Sequence, residues 1–111
     1  MKRRTTPTLK VQINIDKDEV STIIFLFKQI RDESAPVKLE KIYPKDVVYD
    51  SENKCYLIPF TEEDTALFES QTEFYMDTKI TTIDGKIPET DIVRMFMRDT
   101  LFDDNEEQES R

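Results

Sequence analysis

Histidine and tryptophan are absent from this chain of 111 residues, and cysteine and glycine occur once each. Histidine is the side chain that titrates near neutral pH unaided, so its absence removes the commonest general base and the commonest metal ligand. One glycine cannot build the glycine-rich loops that cradle phosphates and dinucleotides. The lone Cys55 excludes a disulfide within the chain and has no histidine to activate it, so it reads as a buried strand thiol. No stretch is apolar enough to span a membrane. The basic start lacks the apolar segment of a signal peptide, which leads us to expect synthesis in the cytoplasm.

Hydrophobic residues make up 37% and charged residues 36% of the chain, so its core has to be economical. Phe25, Phe27, Phe60, Phe68, Phe74 and Phe96 are the expected large fillers. The length suits one domain that buries roughly two-thirds of its unfolded surface. The net charge of −8 argues against nucleic acid and against an anionic membrane surface, because both are bound through Lys and Arg. Half of that charge lies in the last nine residues, Asp103 to Arg111, which carry five acids and one base. We expect a basic arm over residues 1–7, a domain over 8–102 and an acidic, disordered tail over 103–111. Both ends read as solvated, since runs of like charge tend not to pack.

Between the tails, apolar and polar residues alternate. Leu9, Val11, Ile13 and Ile15 alternate with Lys10, Gln12 and Asn14, predicting a strand over Thr8–Ile15 with one wet face. Val20–Arg31 is apolar on both faces through Ile23–Phe27. That suits a central strand, or one whose outer face meets a partner, and its β-branched and aromatic residues disfavour a helix. A short exposed strand is expected from Val37 to Lys41, broken by Ile42–Asp46. Tyr49–Asn53 predicts a turn into a strand over Lys54–Phe60, because Asp and Asn tolerate turn geometry. Thr72–Ile83 alternates again. Asp84-Gly85 then signals a hairpin, with a return strand from Lys86 to about Phe102 whose start is weakened by Pro88.

Thr61–Phe68 is the only clear helix. Thr61 suits the N-cap, and Glu62, Glu63 and Asp64 place carboxylates at the positive end of the helix dipole, which explains them without a cation. Leu67 and Phe68 can turn back onto the core. The bare pattern, six or seven short strands and one small helix, predicts an all-β sandwich.

Three segments occur in an order associated with one group of proteins: Arg4-Thr5-Thr6-Pro7-Thr8, the run Pro59–Phe68, and Asp84-Gly85 followed by Glu89-Thr90-Asp91-Ile92. Phe27-Lys28-Gln29 also fits. Together they resemble the small Ig-like virion proteins encoded in the tail-module regions of prophages of Gram-positive bacteria, similar to the N-terminal domain of phage baseplate upper proteins. The resemblance spans about Arg4 to Leu101. Two departures stand out: Glu62 follows Thr61 where a glutamine is more usual, and the acidic tail is long. The resemblance implies an Ig-like β-sandwich of six to seven strands with one short helix near 61–68. It implies no catalytic residues.

The expected function is that of a non-enzymatic structural protein of a phage or prophage tail or baseplate. The alternative is a free-standing Ig-like adaptor outside any virion. A glycosidase could work with carboxylates alone, but a short chain without tryptophan has little material for a sugar platform. No cofactor, metal or small-molecule substrate is expected, although Asp16, Asp18 and Glu19 are the best calcium candidates. The expected partners are proteins, either further copies of the chain or other virion components. Candidate interface residues are Ile23, Phe25, Phe27, Ile92, Met95 and Met97. Both runs carry apolar groups on both strand faces, while a two-layer sandwich buries only one face of each sheet.

Overall fold

The computed structural model describes residues 1–32 and 34–97. The acidic tail expected over 103–111 lies outside these residues, as does the end of the expected return strand. Seven strands follow in order: β1 (Thr8–Val11), β2 (Val20–Lys28), β3 (Val37–Tyr43), β4 (Val48–Asp50), β5 (Cys55–Pro59), β6 (Thr72–Thr82) and β7 (Val93–Met97). One helix, α1 (Glu62–Ala66), joins β5 to β6, and a single 3-10 turn at Lys17–Glu19 precedes β2.

The strands form two antiparallel sheets, β1-β5-β4 and β3-β2-β6-β7. In the lettering of immunoglobulin domains these are the orders B-E-D and C′-C-F-G. The all-β sandwich read from the sequence is therefore the observed architecture. A regular first strand, which would flank β1, has no counterpart among the described residues.

Alternation decides what lies between the sheets. Ile23, Phe25 and Phe27 of β2 and Phe74, Met76 and Ile80 of β6 point inward, meeting Tyr56 and Ile58 of β5 and the flanking Phe60 and Phe68. Phe27 and Phe60 pack edge to face across the two layers at 5.1 Å between ring centres, and Phe68 lies 4.6 Å from Phe74. Tyr56 sits between Tyr43 and Tyr49 at 5.0 and 4.9 Å. Cys55 is a free, buried thiol at the start of β5.

Several boundaries differ from expectation for local reasons. β1 stops at Val11, opposite Tyr56, one residue short of the start of β5 at Cys55. Ile13 and Ile15 nevertheless keep the alternation and pack against the core. β3 continues through Ile42 and Tyr43, which pair with Ile24 and Ile23, and ends at Pro44, which has no N–H for a ladder. The Asp84-Gly85 turn forms, with Gly85 at φ +86° and Thr82 N–H donating to the Lys86 carbonyl at 2.9 Å. Strand pairing does not resume until Val93, opposite Met76. Residues 86–92 instead run irregularly beside β6, held by the Thr90 hydroxyl, which donates to the Thr78 carbonyl at 2.6 Å.

The basic start is not a solvated arm. Lys2 is 9% exposed. Arg3 donates from Nε to the Phe68 carbonyl at 2.9 Å and from Nη2 to the Ala66 carbonyl at 3.1 Å. A guanidinium is suited to this place because the carbonyls at a helix end lack partners within the helix.

Candidate protein interface

The motif segments around Thr5, Gln29 and Thr61–Phe68 meet at one end of the sandwich, whereas Asp84-Gly85 lies past the opposite end of β6. Thr61 caps α1, its hydroxyl accepting from Asp64 N–H at 3.0 Å while the Asp64 carboxylate accepts from Thr61 N–H at 2.9 Å. This reciprocal box satisfies two N–H groups that the helix cannot. Asp64 Oδ2 also meets Lys41 Nζ of β3 at 2.9 Å, with both side chains mostly buried. Burial pushes the Asp64 pKa up, but the bonds from Thr61 and Lys41 outweigh it and hold the carboxyl below its usual range. Gln29, just past β2, accepts from Glu69 N–H at 2.9 Å and donates to the Glu73 carbonyl at 2.8 Å and to Thr72 Oγ1 at 3.0 Å. Thus Arg3, Thr5, Gln29 and the helix residues brace one another.

The candidate interface residues separate into two groups. Ile23, Phe25, Phe27 and Met97 are fully buried in the core, which corrects the expectation that they face a partner. The physical reason is the pleat: each belongs to the inward set of its strand, and the facing sheet covers that set. Met95 is half-buried and packs against the core, and Ile92 is half-buried just before β7. On β2 the outward residues are Ile24 and Leu26, both half-buried. Ile24 lies opposite Ile42 of β3 and Lys79 of β6, and Leu26 opposite Glu40 and Asp77, so charged neighbours interrupt this apolar stripe.

Phe96 was expected in the core, yet it is 45% exposed, on the outer side of the four-stranded sheet opposite Glu73. Val93, at the other end of β7, is 44% exposed. β7 is the last strand of its sheet and pairs only with β6. Met1 reaches its outer edge, the terminal amino group donating to the Phe96 carbonyl at 3.2 Å. Leu67 also stays exposed although Phe68 beside it is buried. Just past this short helix the two neighbours point to different sides.

Between β1 and β7 lies an open cleft of about 560 Å³. Val11–Ile15 form one wall, Pro88–Asp91 and Val93 the other, and Met76, Thr78 and Ile80 the floor. Among the described residues, no group of three or more acidic or thiol side chains is gathered to share an ion. The Asp16 carboxylate accepts from Asp18 N–H at 3.1 Å, the local bond of a 3-10 cap.

The Phe96 exposure could not be read from the sequence, because Val93–Met97 is apolar at four of its five positions. The alternation of Thr72–Ile83 and the register of its pairing would have revealed it. Met97 faces Thr72 and Phe96 faces Glu73, so a polar outer partner marks the outward residue. Compared with protein families, with curated proteins and with solved structures, the chain matches none.

Proposed function

We propose that this protein is a non-enzymatic structural component of a phage or prophage tail, acting through protein–protein contacts along its β7 border. The observation that carries the contact surface is Phe96, a large apolar side chain left in solvent on an edge strand whose neighbours Met95 and Met97 turn inward. Exposed edges and apolar groups are recurrent features of recognition by strand and sheet surfaces. The tail assignment rests on the ordered motifs. The residues of the Thr5, Gln29 and Thr61–Phe68 segments brace the α1 end of the sandwich, as expected of a small rigid building block. The shifted ionisable groups support a structural role: Asp64 belongs to a helix cap, and Tyr56 is buried between two rings.

The test is to purify tail particles from an induced culture of the source bacterium and identify their proteins by mass spectrometry. We expect the chain at a copy number set by the symmetry of the particle. Its absence from intact particles would favour the free-standing adaptor.

A further inference from the structure

We propose that the cleft between β1 and β7 is a strand-acceptor site for an extended segment of a partner protein in which basic side chains alternate with apolar ones. The proposal rests on the reading of the protein as a protein-binding module and goes further, naming a second site and the chemistry of its occupant. Three observations carry it.

The first is topological. β1 is an edge strand of its sheet and β7 of the other, Met1 touching the outer edge of β7 at Phe96, and both edges lie on the same side of the sandwich. In an immunoglobulin domain the first strand lies beside the strand equivalent to β1. Here that position is filled by no regular strand of the described residues. The second is the backbone. Gln12 and Ile13 continue beyond β1 outside any strand, the chain bends at Asn14 and Ile15, and residues 12–15 make no backbone hydrogen bond to the described residues. Unpaired N–H and C=O groups in an extended segment are a template for strand addition.

The third is the chemistry of the lining. Ile13 and Val93 offer an apolar bed over the buried Met76 and Ile80, and among the described residues that line the cleft the charged ones are Glu89 and Asp91, both acidic and both exposed. A strand laid along Val11–Ile13 would pair over roughly 10 Å and place alternate side chains into the bed and toward the acids. Apolar side chains suit the first set and Lys or Arg the second. The chain's own segment 103–111, with five acids and one base, has the wrong sign for this site.

A fluorescent nine-residue peptide alternating lysine with valine tests the site by anisotropy on the full chain, beside a peptide carrying glutamate in place of lysine. The lysine peptide should bind, and the glutamate peptide should not. The double variant Glu89→Lys, Asp91→Lys should melt as the wild type does and bind about tenfold more weakly, as like-charge juxtaposition demands. Amide exchange should slow at Gln12 and Ile13 when the lysine peptide is bound. Failure of the lysine peptide to bind, equal binding of the two peptides, or protection elsewhere with Gln12 and Ile13 unchanged would overturn the proposal. So would a dimer of the free chain that already protects Gln12 and Ile13, since the occupant would then be a second copy. Particle analysis reads the tail assignment separately, so binding without incorporation, or incorporation without binding, tells which of the two readings has failed.

Discussion

Thr5 and Thr65 hold each other in both directions: Thr5 N–H donates to Thr65 Oγ1 at 3.2 Å, and the Thr65 hydroxyl lies 3.1 Å from the Thr5 carbonyl. Thr65 is fully buried, so these bonds form where water cannot replace them. They fasten the segment before β1 to the helix before β6, and with Arg3 they explain why the basic start of the chain is ordered.

Replacing Thr65 by Val keeps the shape and removes the hydroxyl, leaving both backbone groups of Thr5 without this partner. We expect a loss of about 1–3 kcal/mol in a denaturant titration. Thr65→Ser should recover most of it. A Val variant as stable as the wild type would show that the contact is incidental.

The hydroxyl of Tyr56 is buried without a hydrogen-bond partner among the described residues. Burial, with the neighbouring Tyr43 and Tyr49, pushes its pKa up to about 12. Tyr56→Phe removes an unsatisfied group and should stabilise the fold by about 1 kcal/mol. The sign with pH follows from the raised value. Below about pH 10 Tyr56 is protonated in both the folded and unfolded states, whereas above it the unfolded chain alone releases the proton. Stability should therefore fall between about pH 10 and pH 12, by up to about 1.4 kcal/mol per pH unit from this group. The Phe variant should fall less steeply, and identical alkaline limbs would contradict the assignment.

Part of this architecture was open to reading in the chain itself. The Thr61 cap and the inward set Phe74, Met76 and Ile80 follow from local patterns, and local rules suffice for them. The side of β2 that meets the other sheet does not. Ile23, Ile24, Phe25, Leu26 and Phe27 are all apolar, so alternation carries no signal there, and only the long-range register with β6 separates inside from outside. The Lys41–Asp64 pair, the anchoring of Arg3 and the irregular path of residues 86–92 are likewise tertiary. Each depends on a partner distant in sequence. The cleft was hidden for the same reason, since its walls come from opposite ends of the chain.

Asp64 supplies the acid limb of stability. Its carboxyl titrates below the usual carboxylate range, so its contribution is complete above the unfolded value and is lost as pH falls through the folded one. Asp64→Asn should cost about 1–2 kcal/mol at pH 7, since it weakens the cap and strips Lys41 of its counter-charge. Wild type and variant should converge as pH falls below the lowered folded pKa, where the carboxylate is protonated in both folded and unfolded wild type. A constant gap down to pH 2 in acid titrations followed by circular dichroism would remove the charge from this account.

The most direct measurement of the contact surface pairs folding with assembly in a Phe96→Asp variant. Phe96 is 45% exposed on the outer face of its sheet, so the substitution should leave the melting temperature close to that of the wild type, whereas Met97→Asp, at a fully buried position, should prevent folding. Expressed in place of the wild-type chain, the Phe96→Asp protein should be folded and soluble and missing from purified tail particles. Recovery of the folded variant in particles at wild-type abundance would contradict a contact through β7.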